Sequence, residues 1–478
     1  MLGPFADSGQ TRVQECVQWA VNRIHGQVFR PGMRLPSIRR LARERGVSPF
    51  TVVEAYERLV AGGYVEARKG SGFYVLRRET LPRASGGRQQ TRIDLNWLMR
   101  NMLADSASQG PGLGVLPATW LAGIELAPAL RSLGRQAPGR WLDSGSRRGH
   151  EPLRAVLQQR LAAMDILAAP DQILLTTGIT HALDLVLRCL VRPEDAVLVL
   201  DPCWFGALGL LSARATRVLS VPCTPSGPDL EIMERLAREE SPKLLIISSA
   251  AQNPTGAALS GEAAARILDM AARFNFLIFE DDVYADLCGS AVTRLAAADG
   301  LSHVIYAGSF SKTLAPNIRV GFIAARADLA ESLAVTKIVS GFTTPELNER
   351  LIHKLLVESR YARHIQALRT RLAQCRTQTK KALLAAGFEI FGDPADGLFL
   401  WVQVGANTDE LAVACRDQGL LLAPGSLFSP HQTPSTWMRF NITTPKDARE
   451  AFLRCLRTLR QGSYSRSSPL ARETPVRA

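Results

Sequence analysis

Lys312 closes the word Ser309-Phe310-Ser311-Lys312, and Arg319 follows seven positions later. A lysine amine condenses with an aldehyde only in its neutral form, so it needs a shielded, cation-rich pocket that lowers its pKa. Arg319 supplies such a charge and can grip a phosphate group, helped by the Ser309 hydroxyl. Asp281, at the end of a predicted strand, suits a protonated pyridine nitrogen and turns the ring into an electron sink. Tyr284 and Asn253 can reach a ring oxygen from two sides. Gly178-Ile179-Thr180 stands between a strand and a helix, where backbone amides and the helix dipole hold phosphate. Trp204 offers a flat face for stacking, and Arg439 a two-pronged grip on a carboxylate. The group that answers to all of these is pyridoxal 5'-phosphate, held as an aldimine on Lys312, with an amino acid or amine as the ligand that displaces the lysine.

Each residue also has a plainer reading. Asn253-Pro254-Thr255-Gly256 is a good turn. Asp281 between Glu280 and Asp282 can be one of a solvated acidic cluster, Trp204 a core residue, and Arg439 half of a surface ion pair. It is their joint order along the chain that selects the cofactor reading.

The elements that must position these groups are legible as short β-rich runs at 173–176, 197–200, 244–248, 276–279 and 304–307. The segments between them are long enough for crossover helices, which predicts a mainly parallel sheet in one large α/β unit over 93–462. Residues 77–92 are polar and basic and read as a linker. Residues 463–478, rich in Ser, Arg and Pro, read as a disordered tail. The chain has 478 residues, of which 46% are hydrophobic and 21% charged, an ordinary balance for a globular protein. No apolar run approaches the roughly 20 residues of a membrane span, and no secretory signal is seen at the start of the chain, so a cytoplasmic location is expected. The eight cysteines are scattered without paired spacing and the seven histidines form no ligand pattern. Reduced thiols and no metal site are therefore expected.

Charge separates the first part of the chain from the rest. Residues 1–90 hold 15 Lys and Arg against 7 Asp and Glu, an excess of +8 out of the total of +13, which points to a polyanionic partner for this segment. A domain over 10–76 is expected. One helix opens at Ser37 as N-cap and stops at Gly46; a second opens at Ser48 with Pro49 in its first position. Val52, Ala55, Tyr56, Leu59 and Val60 face inward at helical spacing, leaving Phe50, Thr51 and Glu54 outward near the end that enters a major groove. Residues 64–68 and 72–76 form a hairpin around Lys69-Gly70-Ser71, whose basic tip suits a phosphate backbone. A small basic domain that merely tethers another protein is the alternative.

The residues themselves carry a resemblance. Pro31-Gly32-Met33-Arg34-Leu35-Pro36-Ser37 with Arg39, then Gly46-Val47-Ser48, Thr51-Val52, Ala55-Tyr56, Leu59, Gly63-Tyr64 and Gly70-Ser71-Gly72-Phe73 resemble the winged helix-turn-helix of GntR-type regulators. The resemblance implies contacts to double-stranded DNA from Ser37, Arg39, Ser48, Thr51, Lys69 and Gly70. Pro49 departs from it, because many members carry Arg there. From Leu116-Pro117 to Arg439 the chain resembles the fold type I aminotransferases, with Gly149-His150-Glu151-Pro152-Leu153-Arg154, Glu280-Asp281-Asp282-Val283-Tyr284 and Gly397-Leu398-Phe399-Leu400-Trp401-Val402 as further matching words. Asn317 and Asp396 replace glycines common in that family.

The pairing is similar to the MocR subfamily of bacterial regulators. It implies a homodimer and a transcriptional regulator that senses an amino acid or amine. A working aminotransferase of α-amino acids with an autoregulatory DNA module is one alternative, and a cofactor-free interaction scaffold another.

Overall fold

The computed structural model describes residues 11–25, 28–68, 71–76, 110–124, 126–135, 144–289, 292–358, 360–416 and 418–466. The chain divides into two compact units, Met1–Gln90 and Thr91–Ala478.

In the first unit three helices, α1 (Arg12–His25), α2 (Ile38–Arg45) and α3 (Pro49–Ala61), precede an antiparallel hairpin of β1 (Val65–Arg68) and β2 (Gly72–Val75). The Ser37 hydroxyl accepts from Arg40 N at the start of α2, and Gly46 ends that helix with φ of +64°. The left-handed turn is one that glycine enters without strain. Ser48 accepts from Thr51 N to open α3, and Pro49 fills the first position, where a missing amide leaves no bond unmade. Leu41, Val52, Tyr56 and Leu59 meet Ala20 of α1 and Val65 and Val75 of the hairpin in one core. The Tyr56 hydroxyl donates to Pro36 O at 2.8 Å, tying α3 to the entry of α2. Val60 departs from expectation: it is 38% exposed, because one residue past Leu59 the helix has turned by about 100° to the rim of the buried arc.

The second unit is built on an eight-stranded sheet in the order β3-β10-β9-β8-β7-β4-β5-β6. Its strands are β3 (Ile173–Thr176), β4 (Ala196–Asp201), β5 (Arg217–Thr224), β6 (Gly227–Pro228), β7 (Leu244–Ile247), β8 (Leu277–Asp281), β9 (Val304–Ser309) and β10 (Gly321–Ala324). The run β9-β8-β7-β4-β5 is parallel, whereas β10 runs against both β3 and β9, and β6 against β5. β3, β7, β9 and β10 are buried throughout, as a sheet covered by helices on both faces requires. A smaller antiparallel sheet of β11 (Glu389–Ile390), β12 (Phe399–Gln403), β14 (Trp437–Asn441) and β13 (Ala423–Pro424), in that order, follows in the chain. It was not separated from the large unit in the sequence, since two of its strands are only two residues long.

The connections leaving the carboxyl ends of β3, β4, β7, β8 and β9 carry Gly178, Trp204, Asn253, Tyr284 and Lys312 in turn. Open α/β sheets bind ligands outside these ends. The helix Ala327–Gly341 leaves Val335 and Val339 exposed one turn apart, Val339 by 84%, and its C-cap Phe342 is exposed beside its end. The last helix, Lys446–Arg466, continues four residues into the stretch read as tail; extending an existing helix adds one bond per residue and needs no new nucleus. The linker over 77–92 and residues 467–478 lie outside the described residues.

Candidate functional site

The phosphate end of the site is made by backbone. β3 ends at Thr176 and the helix Ile179–Leu190 begins at once, with Gly178 as its cap at φ +89°. A Cβ at Gly178 would stand 2.8 Å from Arg319 Nη2, so glycine is what lets the guanidinium reach the helix end. Arg319, itself at φ +52°, donates from Nη2 to Thr177 O at 2.7 Å and from Nη1 to Ser311 Oγ at 3.2 Å. Ser309 Oγ lies 3.1 Å from Ser311 Oγ and 3.2 Å from Val320 O. The amides of the first helical turn have no partner within the helix and carry its positive end. Ile179 is buried and Thr180 exposed at this end. Amides, guanidinium and two hydroxyls thus converge where a phosphate would be held.

The ring end is made by strand termini. Glu280, Asp281 and Asp282 are 0%, 8% and 2% exposed, which rules out a solvated acidic cluster. Glu280 accepts from Leu295 N at 2.9 Å, from Ala296 N at 2.8 Å and from the Ser249 hydroxyl. Asp282 accepts from Arg294 Nε at 2.7 Å and from the Tyr306 hydroxyl at 2.9 Å. Asp281 instead accepts from Val283 N at 3.1 Å. Burial pushes its carboxyl up to about 7; Val283 N and the Lys312 charge act in the opposite direction and Asp282 adds to the rise. A carboxyl so placed ionises readily only when a further cation faces it, which is what a pyridinium nitrogen provides.

Arg439 on β14 is 1% exposed. It donates from Nη1 to Asn253 Oδ1 at 3.1 Å and from Nη2 to Gly112 O at 2.7 Å, and its Nε is buried without a partner. The guanidinium sits 4.3 Å from the centre of the Phe399 ring, whose edge also meets Tyr284 at 5.9 Å. Burial brings Arg439 down to about 10, with Tyr284 opposing. Burial also raises the Tyr284 hydroxyl, against the pull of Arg439. The Lys312 ammonium donates to Gly114 O at 2.6 Å. Burial lowers this amine to about 8, the charges of Arg439 and Arg319 lower it further, and Asp281 opposes them.

Lys312, Asp281, Tyr284, Asn253 and Arg439 therefore form one group, and Gly178, Ser309 and Arg319 a second; Arg319 acts on Lys312 across the two. Trp204 caps the helix Phe205–Ala213, and its indole lies against Gly206, where a Cβ would stand 2.2 Å from Cζ2. Its loop is joined to that of Asn253 by Gln252 Nε2, which donates to Pro202 O at 2.8 Å. Among the described residues Trp204 makes no hydrogen bond or ring contact with either group. Asp396 accepts from Gly289 N at 2.9 Å and Asn317 is exposed.

Sequence reasoning missed Ser311, although it stands beside Lys312, and it missed the strip Gly112-Leu113-Gly114. The alternation of Gly110, Gly112 and Gly114 was the available signal: a Cβ at Gly112 would stand 2.4 Å from Leu422 C. In the first unit Ser37 and Arg39 are exposed. Ser48 Oγ and Thr51 Oγ1 lie 2.8 Å apart. Lys69 and Gly70 lie outside the described residues.

Two outcomes follow from this geometry. Gly178→Ala places a methyl against Arg319 and is expected to weaken pyridoxal phosphate binding about ten- to hundredfold, the loss of one charged hydrogen bond of about 1.5–3 kcal/mol. Absorbance titration with far-UV circular dichroism tests it, and an unchanged affinity in a folded variant would refute the cradle. Because the Lys312 amine is neutral only above its lowered value of about 8, covalent capture of the cofactor should rise with pH through a midpoint near 8. Arg439→Gln removes a like charge and should carry that midpoint upward. An unmoved midpoint would show that Arg439 does not act on the amine.

Comparison with known proteins agrees with both halves. Residues 105–454 match the model of aminotransferase class I and II, and residues 17–75 that of the bacterial regulatory proteins of the gntR family. The Escherichia coli protein named "Uncharacterized HTH-type transcriptional regulator YdcR" is 29% identical, over 92% of this chain and 96% of that one. The "Probable rhizopine catabolism regulatory protein MocR" of Rhizobium meliloti is 29% identical over 71% of each chain. Among solved structures, LysN, the alpha-aminoadipate aminotransferase of Thermus thermophilus in complex with N-(5'-phosphopyridoxyl)-L-leucine, superposes with a TM-score of 0.66. It is 26% identical and is covered over 95% of its length by 77% of this chain. The chain belongs to the aminotransferase class I and II family and, with its gntR-type N-terminal unit, to the MocR subfamily of transcriptional regulators.

Proposed function

We propose that this protein is a cytoplasmic, homodimeric transcriptional regulator that uses pyridoxal 5'-phosphate to sense an amino acid or amine and reports its state to DNA. The observation that carries the reading is one buried site holding Lys312, Asp281 and Arg439 together, on a chain whose other unit is a winged helix-turn-helix. When bound, the cofactor supplies an aldehyde open to the amine of Lys312 or of an effector, and a ring able to draw electrons.

The chain's own residues divide the remaining work. Arg319, Ser309, Ser311 and the amides at Gly178-Ile179-Thr180 would hold the phosphate. Asp281 would favour a protonated ring nitrogen, Asn253 and Tyr284 would hold the ring oxygen, and Trp204 would offer its face for stacking. Lys312 would give up and take back a proton at Nζ, its amine lowered to about 8. Arg439 receives the effector carboxylate, which takes the place of the Gly112 carbonyl. Gly114 O is at the same time the acceptor of Lys312. An effector whose carboxylate takes Arg439 would thus free the Gly112 carbonyl, while the Lys312 amine that it displaces would again be available to Gly114 O, in a strip that leads, in sequence, back to the reader. Such a ligand shifts DNA affinity because it favours one arrangement of that strip over the other.

Exposed Val335, Val339 and Phe342 support self-association, since a second copy that covers them removes three apolar side chains from water. Two readers in one assembly then match two half-sites on DNA. A working aminotransferase is the second reading, favoured by the same convergence of Lys312, Asp281 and Arg439. Rapid multiple turnover of amino acid and oxo-acid pairs would move it to first place.

Lys312→Ala should abolish the borohydride-sensitive absorbance given by pyridoxal phosphate and leave salt-dependent DNA binding in place. Gel shifts on the adjoining intergenic DNA should then respond to cofactor and amino acids in the parent and not in the variant. A parent protein whose shift ignores both would refute sensing. Val339→Glu should weaken self-association by about tenfold or more, because the partner would have to bury a charge. Sedimentation velocity showing an unaltered dimer would exclude that face.

A further inference from the structure

We infer that Phe50 reads DNA sequence by apolar contact with thymine methyl groups in the major groove, an inference that rests on the DNA-binding reading above and sharpens it. Phe50 is 77% exposed in the first turn of α3. At about 100° per residue it points almost directly away from the centre of the face formed by Val52, Ala55, Tyr56 and Leu59. A phenyl ring held that far out in water gains nothing for the fold.

The polar side chains beside it are engaged within the helix. Ser48 Oγ accepts from Thr51 N at 3.1 Å and shares a hydrogen bond with Thr51 Oγ1 at 2.8 Å. Glu54, one turn on, is held by Arg58 at 2.7 Å. Pro49, between Ser48 and Phe50, has no side-chain donor or acceptor to present. The leading end of α3 therefore offers a hydrocarbon surface where a base reader more often offers an amide or guanidinium.

What covers the ring is set by the unit that bears it. Residues 17–75 match the gntR regulatory family, and the +8 excess over 1–90 suits a polyanion. α3 is the second helix of the helix-turn-helix, the one that lies in the major groove with its N-terminal residues at the base edges. Every hydrogen-bonding feature of those edges is invisible to a phenyl ring. The one apolar feature there is the C5 methyl of thymine. Phe50 thus selects A·T pairs by the position of their methyl groups.

Uracil isolates this contact, because it lacks the methyl and keeps all hydrogen-bonding groups of thymine. Duplexes enriched from a random pool by the full-length protein would be remade with single thymine-to-uracil replacements and titrated by fluorescence anisotropy. At one or two positions per half-site uracil should weaken parent binding about fourfold, the loss expected for one methyl-sized group returned to water. Phe50→Ala, with circular dichroism and salt dependence unchanged, should bind both duplexes alike, and Phe50→Leu should keep part of the preference. Equal discrimination by Phe50→Ala, or none by the parent at any thymine, would overturn the inference while DNA binding stood. Failure to enrich any duplex would remove the DNA-binding reading and this one with it.

Discussion

Two cations share one desolvated space, and the second unit is organised around keeping them there. Lys312 and Arg439 each lose stabilisation of the charged form by burial, and the charge of Arg439 lowers the lysine further. Asp281 is the acid that opposes the effect on Lys312, and burial raises that acid too. Such a cluster is poorly compensated in isolation. It becomes well compensated when an anion meets each guanidinium and a ring nitrogen meets Asp281, so binding energy is stored in the protein as unmet electrostatic demand.

The sheet makes this arrangement rigid. Asp281 is the last residue of a parallel strand paired with Ala307 on one side, and Lys312 follows the neighbouring strand by three residues. Arg439 comes from the other sheet, opposite Trp401 and beside Ala423. The positively charged groups are therefore fixed from two directions, and the hydrogen bonds they make meanwhile go to main-chain carbonyls and to Asn253. The carbonyl of Gly112 is a neutral acceptor that a carboxylate can outbid, since a carboxylate opposes the guanidinium with a full charge and can take two parallel bonds from its fork.

What could be read in the sequence was local or typed by chemistry. Ser37, Gly46, Ser48 and Pro49 announce helix ends because capping depends on neighbours one to three residues away. Lys312, Asp281 and Arg439 were legible because few residue types can do their work. The strip at Gly112 and Gly114 was not, because its partners lie 327 and 198 residues away and the contact is made by carbonyls that every residue has. Val60 shows the limit of periodicity: a residue at the rim of a buried arc is apolar by composition and exposed by geometry. Nor did helical spacing distinguish Phe50, outward as expected, from an incidental surface residue; only the hydrogen bond between the Ser48 and Thr51 hydroxyls shows how little else that helix end presents.

A regulator and an enzyme need the same first encounter but opposite endings. An enzyme must let its product leave and restore Lys312 quickly, whereas a sensor must hold the ligand long enough for DNA affinity to register it. Coupling of 1–3 kcal/mol, roughly a 5- to 150-fold change in affinity, is the usual scale for such a link. Exchanging a carbonyl for a carboxylate at buried Arg439 falls within that scale, because it adds a second charge-assisted hydrogen bond from the guanidinium fork, of about 1.5–3 kcal/mol. Under the proposed function, the exchange at the Gly112 carbonyl would by itself be of the size that such a coupling requires.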